Sequence, residues 1–530
     1  MPPTLEPVSR DSDTIEEVFE EKTKPPTLKL IDREFTIKEA LEEETNVIHL
    51  ASYVPAIERL YQDIWEQRVS VAALVKHHMR LGEQDECTVL PPKHWIRGGF
   101  NICVIVEVNS SHQKVVFRCP MPHKLAEARY PGSIDEKLSC EVGAHAWVEE
   151  KCPEIRSPRL FGFGFMDGRH FTHTKHVPFF TRIGRLFWRS IYRFFRLPLL
   201  SHFVWNPPRH QVPFAYMVLE YLGPETGQML SDTFNTYRED EARRQRLFRG
   251  ISRILLSLAR IPQVQIGSFR FNNNGIVTLA NRPLSCSMMI LENEGATRTM
   301  QTKDTYSCTD AFVSDTLTFH DHRFLSEPNA VYNEGDCRGQ MAVKTLLRVL
   351  SHVYIKRELR NGPFILQFTD FHASNILVDN QWNVTGLIDL EWICALPSEM
   401  FEVPYWLTGH AVDQLKGEKL DEFDRVRREF MRLFEEEERA TKAKAGHNIT
   451  LSEVMQDMWE SKGVWFWHCV SSVNAMYFVL ETHLYPPKSL SLEAERFVSR
   501  FWCRNSEDVV RKKLADKQAY DDELRKLFRE

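Results

Sequence analysis

The sequence predicts an α+β protein in which a small strand-rich lobe precedes a larger, mainly helical one. Three observations carry this expectation. A near-continuous apolar run, "FNICVIVEV", followed by turn chemistry and "QKVVFRC", reads as a hairpin over residues 100–119. Next, "SIDEKLSCEVGAHAWVEE" repeats Leu138, Val142 and Ala146 at spacing four and stops before Pro153, as one helix would. From residue 223 onward helical patterns dominate, broken late by a second short hairpin, "NILVD" and "NVTGLID" about the turn "NQW".

Taken in order, residues 1–30 are acidic and proline-flanked, and read as a flexible leader rather than a signal or transit peptide. Residues 31–90 form a helical extension, with Ile57, Leu60, Tyr61 and Ile64 on one face and Pro91 and Pro92 closing it. The small lobe spans 91–222, ends on the buried strand of "VPFAYMVLEYLG", and carries an insertion at about 165–212. The helical lobe, 223–505, is expected to hold a looped middle around "RFNNNGIVTLANRPLS" and an apolar helix over 340–360. Its long charged helix, with opposite charges four apart and the acidic run Glu435 to Glu438, reads as a solvated face. The paired His320 and His322 suit a surface better than a metal site, and 506–530 reads as a charged helical tail.

The whole chain excludes several classes. Its 530 residues are 43% hydrophobic and 26% charged, ordinary for a soluble protein, and a net charge of -6 gives no basis for nucleic-acid binding. Eleven cysteines, none in a C-x-x-C pair, argue for reduced thiols and a cytoplasmic setting. No stretch has the length of a membrane-spanning helix.

The late hairpin carries the chemistry. Asp370 and Asn375 fall on the loop entering it, and Asp389 falls where its second strand ends. A short hairpin folds its ends together, so the three polar groups can converge. Such a set suits Mg²⁺, which takes hard oxygen ligands from one or two carboxylates and completes its shell with water and phosphate. Asp370, five residues before Asn375, is placed to orient and deprotonate a hydroxyl. Turn-forming Asp and Asn are common at strand ends, so the signal is the conjunction of loop, hairpin and second aspartate.

"GPFILQFTDFHASNILVD" followed by "WNVTGLIDLEW" resembles the catalytic loop and metal-binding segment of the aminoglycoside phosphotransferase family, and especially its fungal members. The resemblance spans roughly residues 90 to 500 and implies a protein-kinase-like bilobal fold. It implies that Asp370 is the catalytic base, that Asn375 and Asp389 hold Mg²⁺, and that His372 supports the loop. It further implies ATP as phosphoryl donor, with Gly98 and Gly99 near its phosphates, Arg118 as their cation and Glu141 as the partner of Arg118. Glu220, Tyr221 and Leu222 would supply backbone groups to adenine. The expected activity is phosphoryl transfer to a hydroxyl of a small molecule. Two departures keep a second reading open, a degenerate nucleotide-binding or scaffold protein: Arg118 replaces the usual lysine, and Phe368-Thr369 replace His-Gly before Asp370. Glu391 reads equally as a cleft residue or a loop pin.

The insertion holds a basic aromatic stretch, residues 179–205. Arg182, Arg185, Arg189, Arg193 and Arg196 share one helix face, and Ile183, Leu186, Phe187, Ile191, Phe194 and Phe195 the other. The favoured expectation is a helix packed on the lobes with its arginines solvated. Peripheral contact with an anionic membrane, or a clamp on an acidic ligand, are the alternatives.

Overall fold

The computed structural model describes residues 27–109, 113–441, 446–472, 475–485 and 491–529. Most of the expected leader, the tip of the first hairpin and Glu530 lie outside these residues.

An eight-stranded antiparallel sheet organises the first part of the chain. Its strands run Phe203–Trp205, His170–His173, Leu160–Gly164, Tyr216–Glu220, Gln113–Pro120, Asn101–Val108 and Cys87–Val89, with Ile96–Arg97 pairing off Asn101–Val108. The apolar runs are buried on both faces. Ile102, Val104, Val106, Val115 and Phe117 meet Ile57, Ile64, Val71 and Leu74 from helices Val47–Glu66 and Arg68–Met79. The opposite face receives helix Ser133–Lys151 through Leu138, Val142 and Ala146, joined to Phe163, Met217 and Leu219. Because side chains alternate along a strand, Arg118 points away from Phe117, toward that second helix. The stretch expected as an insertion thus supplies strands His170–His173 and Phe203–Trp205 to the same sheet.

Two smaller sheets follow. One orders Phe364–Phe368, Ile393–Pro397, Gly267–Phe271, Ile276–Asn281 and Leu199–Leu200; the other orders Gln228–Met229, Ile376–Val378 and Val384–Leu387. The expected looped middle around residue 275 is therefore a β-hairpin. Its turn, "NNNG", carries Gly275 at φ +73°, and Asn272 Oδ1 accepts the Asn274 and Ile276 amides.

Other expectations shift with their surroundings. The apolar helix runs Glu334–Tyr354, starting early because Asn333 caps it through the Asp336 amide. The acidic run is not simply solvated: Glu436 and Glu437 pair with Arg249 and Arg253 of helix Glu241–Ala259. His320 is buried, its Nε2 against the Val470 carbonyl at 2.9 Å. Helix Ser506–Leu527 buries Tyr520 and Leu524 against Leu30, Phe35, Ala40 and Val47.

The largest reversal concerns helix Phe179–Phe194. Two of its arginines, Arg185 and Arg189, turn inward, and its bulky apolar side chains turn outward. Arg185 donates to the carbonyls of Ser201, Asn274 and Gly275, and Arg189 to the Leu200 carbonyl at 2.9 Å and to Glu150 at 2.6 Å. Five charge-assisted donors of these kinds outcompete what the phenylalanines would gain on this polar, carbonyl-rich edge. A Cβ on Gly275 would lie 2.3 Å from Arg185 Nη2, so glycine there makes the docking possible.

Candidate functional site

Two antiparallel pairings share one short crossing of the chain. Ile376 faces Leu387, and the Ile388 amide donates to the Asn375 carbonyl at 2.9 Å. Phe368 faces Ile393, and the Thr369 amide donates to the Trp392 carbonyl at 2.9 Å. Residues 388–392 therefore pass from one sheet to the other, tied at both ends to the ends of loop 369–375. Asp370 and Asn375 lie on one of these two segments, Asp389 and Glu391 on the other. The hairpin between them is closed by Asp379, whose Oδ1 accepts the Gln381 and Asn383 amides, and is anchored by Trp382 stacked on Phe234. Asp389 has φ +67°, a left-handed conformation costing an aspartate on the order of 1 kcal/mol or more.

An ion cluster meets this crossing from the first sheet. Arg118 Nη2 lies 2.8 Å from Asp389 Oδ1 and 3.1 Å from Glu391 Oε2, and Arg118 Nε lies 3.4 Å from Glu141 Oε1. Lys137, fully buried, donates to Glu141 at 2.7 Å and to Asn101 Oδ1 at 2.8 Å, and also pairs with Glu391. Asn101 returns a bond to Glu391 at 2.9 Å. Lys137 and Asn101 were not foreseen. The signal for Lys137 was present: it sits four residues before Glu141, one turn away on the same helix face.

Charge and burial divide the carboxylates. Burial works against ionised Glu391, yet Lys137 and Arg118 outweigh it and hold that carboxyl well below its usual range. Burial also pushes Asp389 upward, and Glu391 and Glu141 add to this against the pull of Arg118. Asp370 is raised by burial and by Glu391, opposed by His372, whose Nε2 lies 3.4 Å from Asp370 Oδ1. The half-buried Cys286 thiol is pushed up by desolvation and then by Asp370, Glu391 and Asp389 together, so all three carboxylates approach one neighbourhood.

The remaining residues singled out in the sequence divide into those near the cluster and those already engaged. Gly98 and Gly99 form an exposed turn, the Gly98 amide donating to the Asn101 carbonyl at 2.9 Å, so this turn adjoins the cluster's Asn101. Leu222 lies beside Gly386 of the late hairpin. Glu220 is engaged elsewhere: its carboxylate accepts from Arg156 at 2.8 Å and from the Arg159 amide, and its own amide donates to the Arg159 carbonyl. Tyr221 is partly exposed at the strand's end, with Lys114 over its ring. Asn375 commits its amide nitrogen to the Asp370 carbonyl at 2.9 Å, which leaves its side-chain oxygen for a cation.

The donor set fits a hard divalent ion. Glu141, Asp389 and Glu391 each offer an oxygen within 4.8 Å of the others, and Glu141 Oε1 is buried without a hydrogen bond. With Asp370 nearby, four carboxylates face two cations, an excess of negative charge that Mg²⁺ would offset.

On the far side of Phe368 and Thr369 lies a cavity of about 350 Å³, lined among others by Met288, Glu402, Tyr405 and His468. The Tyr405 phenol is raised by burial first and then by Glu402 and Asp370, so it lies within electrostatic reach of both carboxyls. Phe368 stacks on Phe371 at 5.1 Å between ring centres.

No family model matches the chain, and no curated protein matches it. Among solved structures it is similar to a macrolide 2′-phosphotransferase type I, at TM-score 0.33 and 11% identity, over 76% of this chain and 89% of that one. It is also similar to an ethanolamine kinase of Plasmodium vivax, at TM-score 0.34 and 11% identity, over 82% of this chain and 86% of that one.

Proposed function

We infer that this chain is an ATP- and Mg²⁺-dependent phosphotransferase of the bilobal, protein-kinase-like fold, acting on a hydroxyl of a small molecule. The observation that carries the reading is the tied crossing 388–392, which sets Asp389 against Arg118 and Glu141 from one side and beside the loop of Asp370 and Asn375 on the other. Protein kinases pair a strand lysine with a helix glutamate and hold metal with an aspartate and an asparagine; here arginine takes the strand position.

In this reading Asp389 and Asn375 hold Mg²⁺, which neutralises charge on the phosphates when bound. Arg118 supplies the fixed positive charge of the phosphate subsite, and Glu141, itself held by Lys137, fixes its guanidinium. Asp370 accepts the hydrogen bond of the acceptor hydroxyl and takes its proton as the new oxygen–phosphorus bond forms and the bond to the diphosphate breaks. Burial raises the Asp370 carboxyl, which makes it a stronger base than an exposed aspartate. The cavity behind Phe368 receives the acceptor. The Gly98–Gly99 turn and residues 220–222 border the nucleotide. The reading fits a cytoplasmic protein that uses ATP.

A second reading rests on one observation: Arg118 already meets three carboxylates, a closed arrangement suited to a nucleotide-free scaffold. Thermal unfolding separates the two. Mg-ATP is expected to raise the midpoint of the native chain but not of Asp389→Ala, and no response in the native chain would leave the scaffold. Purified protein with a panel of hydroxyl metabolites should consume ATP, and Asp370→Asn should stop turnover while keeping the thermal response.

A further inference from the structure

Helix Phe179–Phe194 and the turn after it present an apolar surface to solvent: Phe179, Phe180, Ile183, Phe187, Phe194 and Phe195 are all exposed, Phe180 at 85% and Phe194 at 81%. Scattered exposed apolar residues are normal, but a contiguous face of bulky side chains on one helix marks an interaction site. The helix is held rigidly while it does this. Arg185 is fixed by three backbone carbonyls, and Arg189 and Arg193 share Glu150. With Arg185 and Arg189 turned inward, the outward rings contact neighbours on the same stretch, as in the pairs Phe179–Phe180, Phe187–Trp188 and Phe194–Phe195, and present their remaining surface to solvent.

Charge narrows the choice of partner. No aspartate or glutamate occurs between Asp167 and Glu220, whereas Lys175, Arg182 and Arg196 are exposed in the same stretch. A second copy docking face to face would bring these like charges together with no acid in the stretch to offset them. The face is one side of a helix, not a groove, and its residues are those that enter the headgroup boundary of a bilayer while cations meet acidic headgroups. We propose that the helix Phe179–Phe194 is a docking element for anionic lipid bilayers, lying in the plane of the surface with Phe180, Ile183, Phe187 and Phe194 inserted and Arg182 and Arg196 at the headgroups.

This use of the helix differs from an arginine-led contact. Arg185 and Arg189 face the protein, so charge reversal there would detach the helix and say little about lipid. The test is therefore made on the outward face. The full chain is sedimented with phosphatidylcholine vesicles, with and without phosphatidylserine. Binding is expected to require the anionic lipid, to weaken with added salt, and to fall at least about tenfold in Phe180→Asp/Phe187→Asp with the thermal midpoint unchanged. Arg182→Glu/Arg196→Glu should remove the preference for phosphatidylserine. The proposal is overturned if the native chain stays in the supernatant with both vesicles, or if the Phe180→Asp/Phe187→Asp variant binds as well as the native chain. It is also overturned if that variant instead dissolves a dimer seen by size-exclusion chromatography.

Discussion

The two sides of Asp370 solve opposite problems. Toward the eight-stranded sheet, carboxylates are buried with cations: Glu391 contacts Lys137, Arg118 and Asn101, and is held ionised. Toward the cavity, Glu402 has no lysine or arginine partner among the described residues, and burial pushes it up to about 8. His468, 3.1 Å away, does not rescue it as an ion pair, because burial drives that imidazole down to about 4 and leaves it neutral. One side is thus a charged pocket suited to phosphate and metal, the other an almost neutral pocket suited to an organic acceptor. The difference teaches that a buried acid is read by its neighbours rather than by its type.

The comparison breaks first at its hinge. If Asp370 serves the acceptor on the neutral side, Asp370→Ala should cost roughly 10²–10⁴-fold in turnover while nucleotide binding, measured by calorimetry, stays near native. On the charged side, Lys137→Met removes a fully buried cation and leaves Glu141 and Glu391 short of a partner. Chemical denaturation should show a loss of about 3–5 kcal/mol, and a loss below about 1 would mean that the cluster does not hold the elements together. On the neutral side the expected effect is smaller and depends on pH. Glu402 is raised in the folded state, so the unfolded chain releases its proton first, and stability declines as pH rises toward about 8. His468 acts in the opposite sense only below its ordinary value of 6.5, so it does not mask Glu402 between about 6.5 and 8, where Asp389, Glu294 and Glu399, each raised to about 7, add to the same decline. Glu402→Gln should flatten the decline in that window relative to the native chain, and an unchanged slope would show that Glu402 is ionised in the fold.

What was legible in the sequence follows the range of the interactions. The hairpin of Asn375 and Asp389 is set by local alternation and by the Asp379 turn, so it stands where the spacing placed it. Arg118 and Glu141 fall on facing elements because strand and helix periods are local properties too, and their side chains meet at 3.4 Å. Lys137 was hidden by its surroundings, since a lysine inside an apolar helix pattern reads as a solvated position until two glutamates are seen to bury it. The hairpin around Gly275 was masked by its asparagine-rich turn, although strand-like runs flank it on both sides. Helix Phe179–Phe194 is the clearest limit. Periodicity separates its two faces, but which face turns inward is decided by groups outside the helix: Glu150 and the carbonyls at 200–201 and 274–275.

The seam between the opening helices and the closing one bears on synthesis. Tyr520 Oη accepts the Val47 amide at 3.0 Å across 473 residues, and Leu30, Phe35 and Ala40 share one core with Leu524 and Phe528. Nothing made earlier on the ribosome can complete that core. Residues 30–47 are therefore made long before the helix Ser506–Leu527 that covers them, and their apolar side chains stay without that cover until it is synthesised.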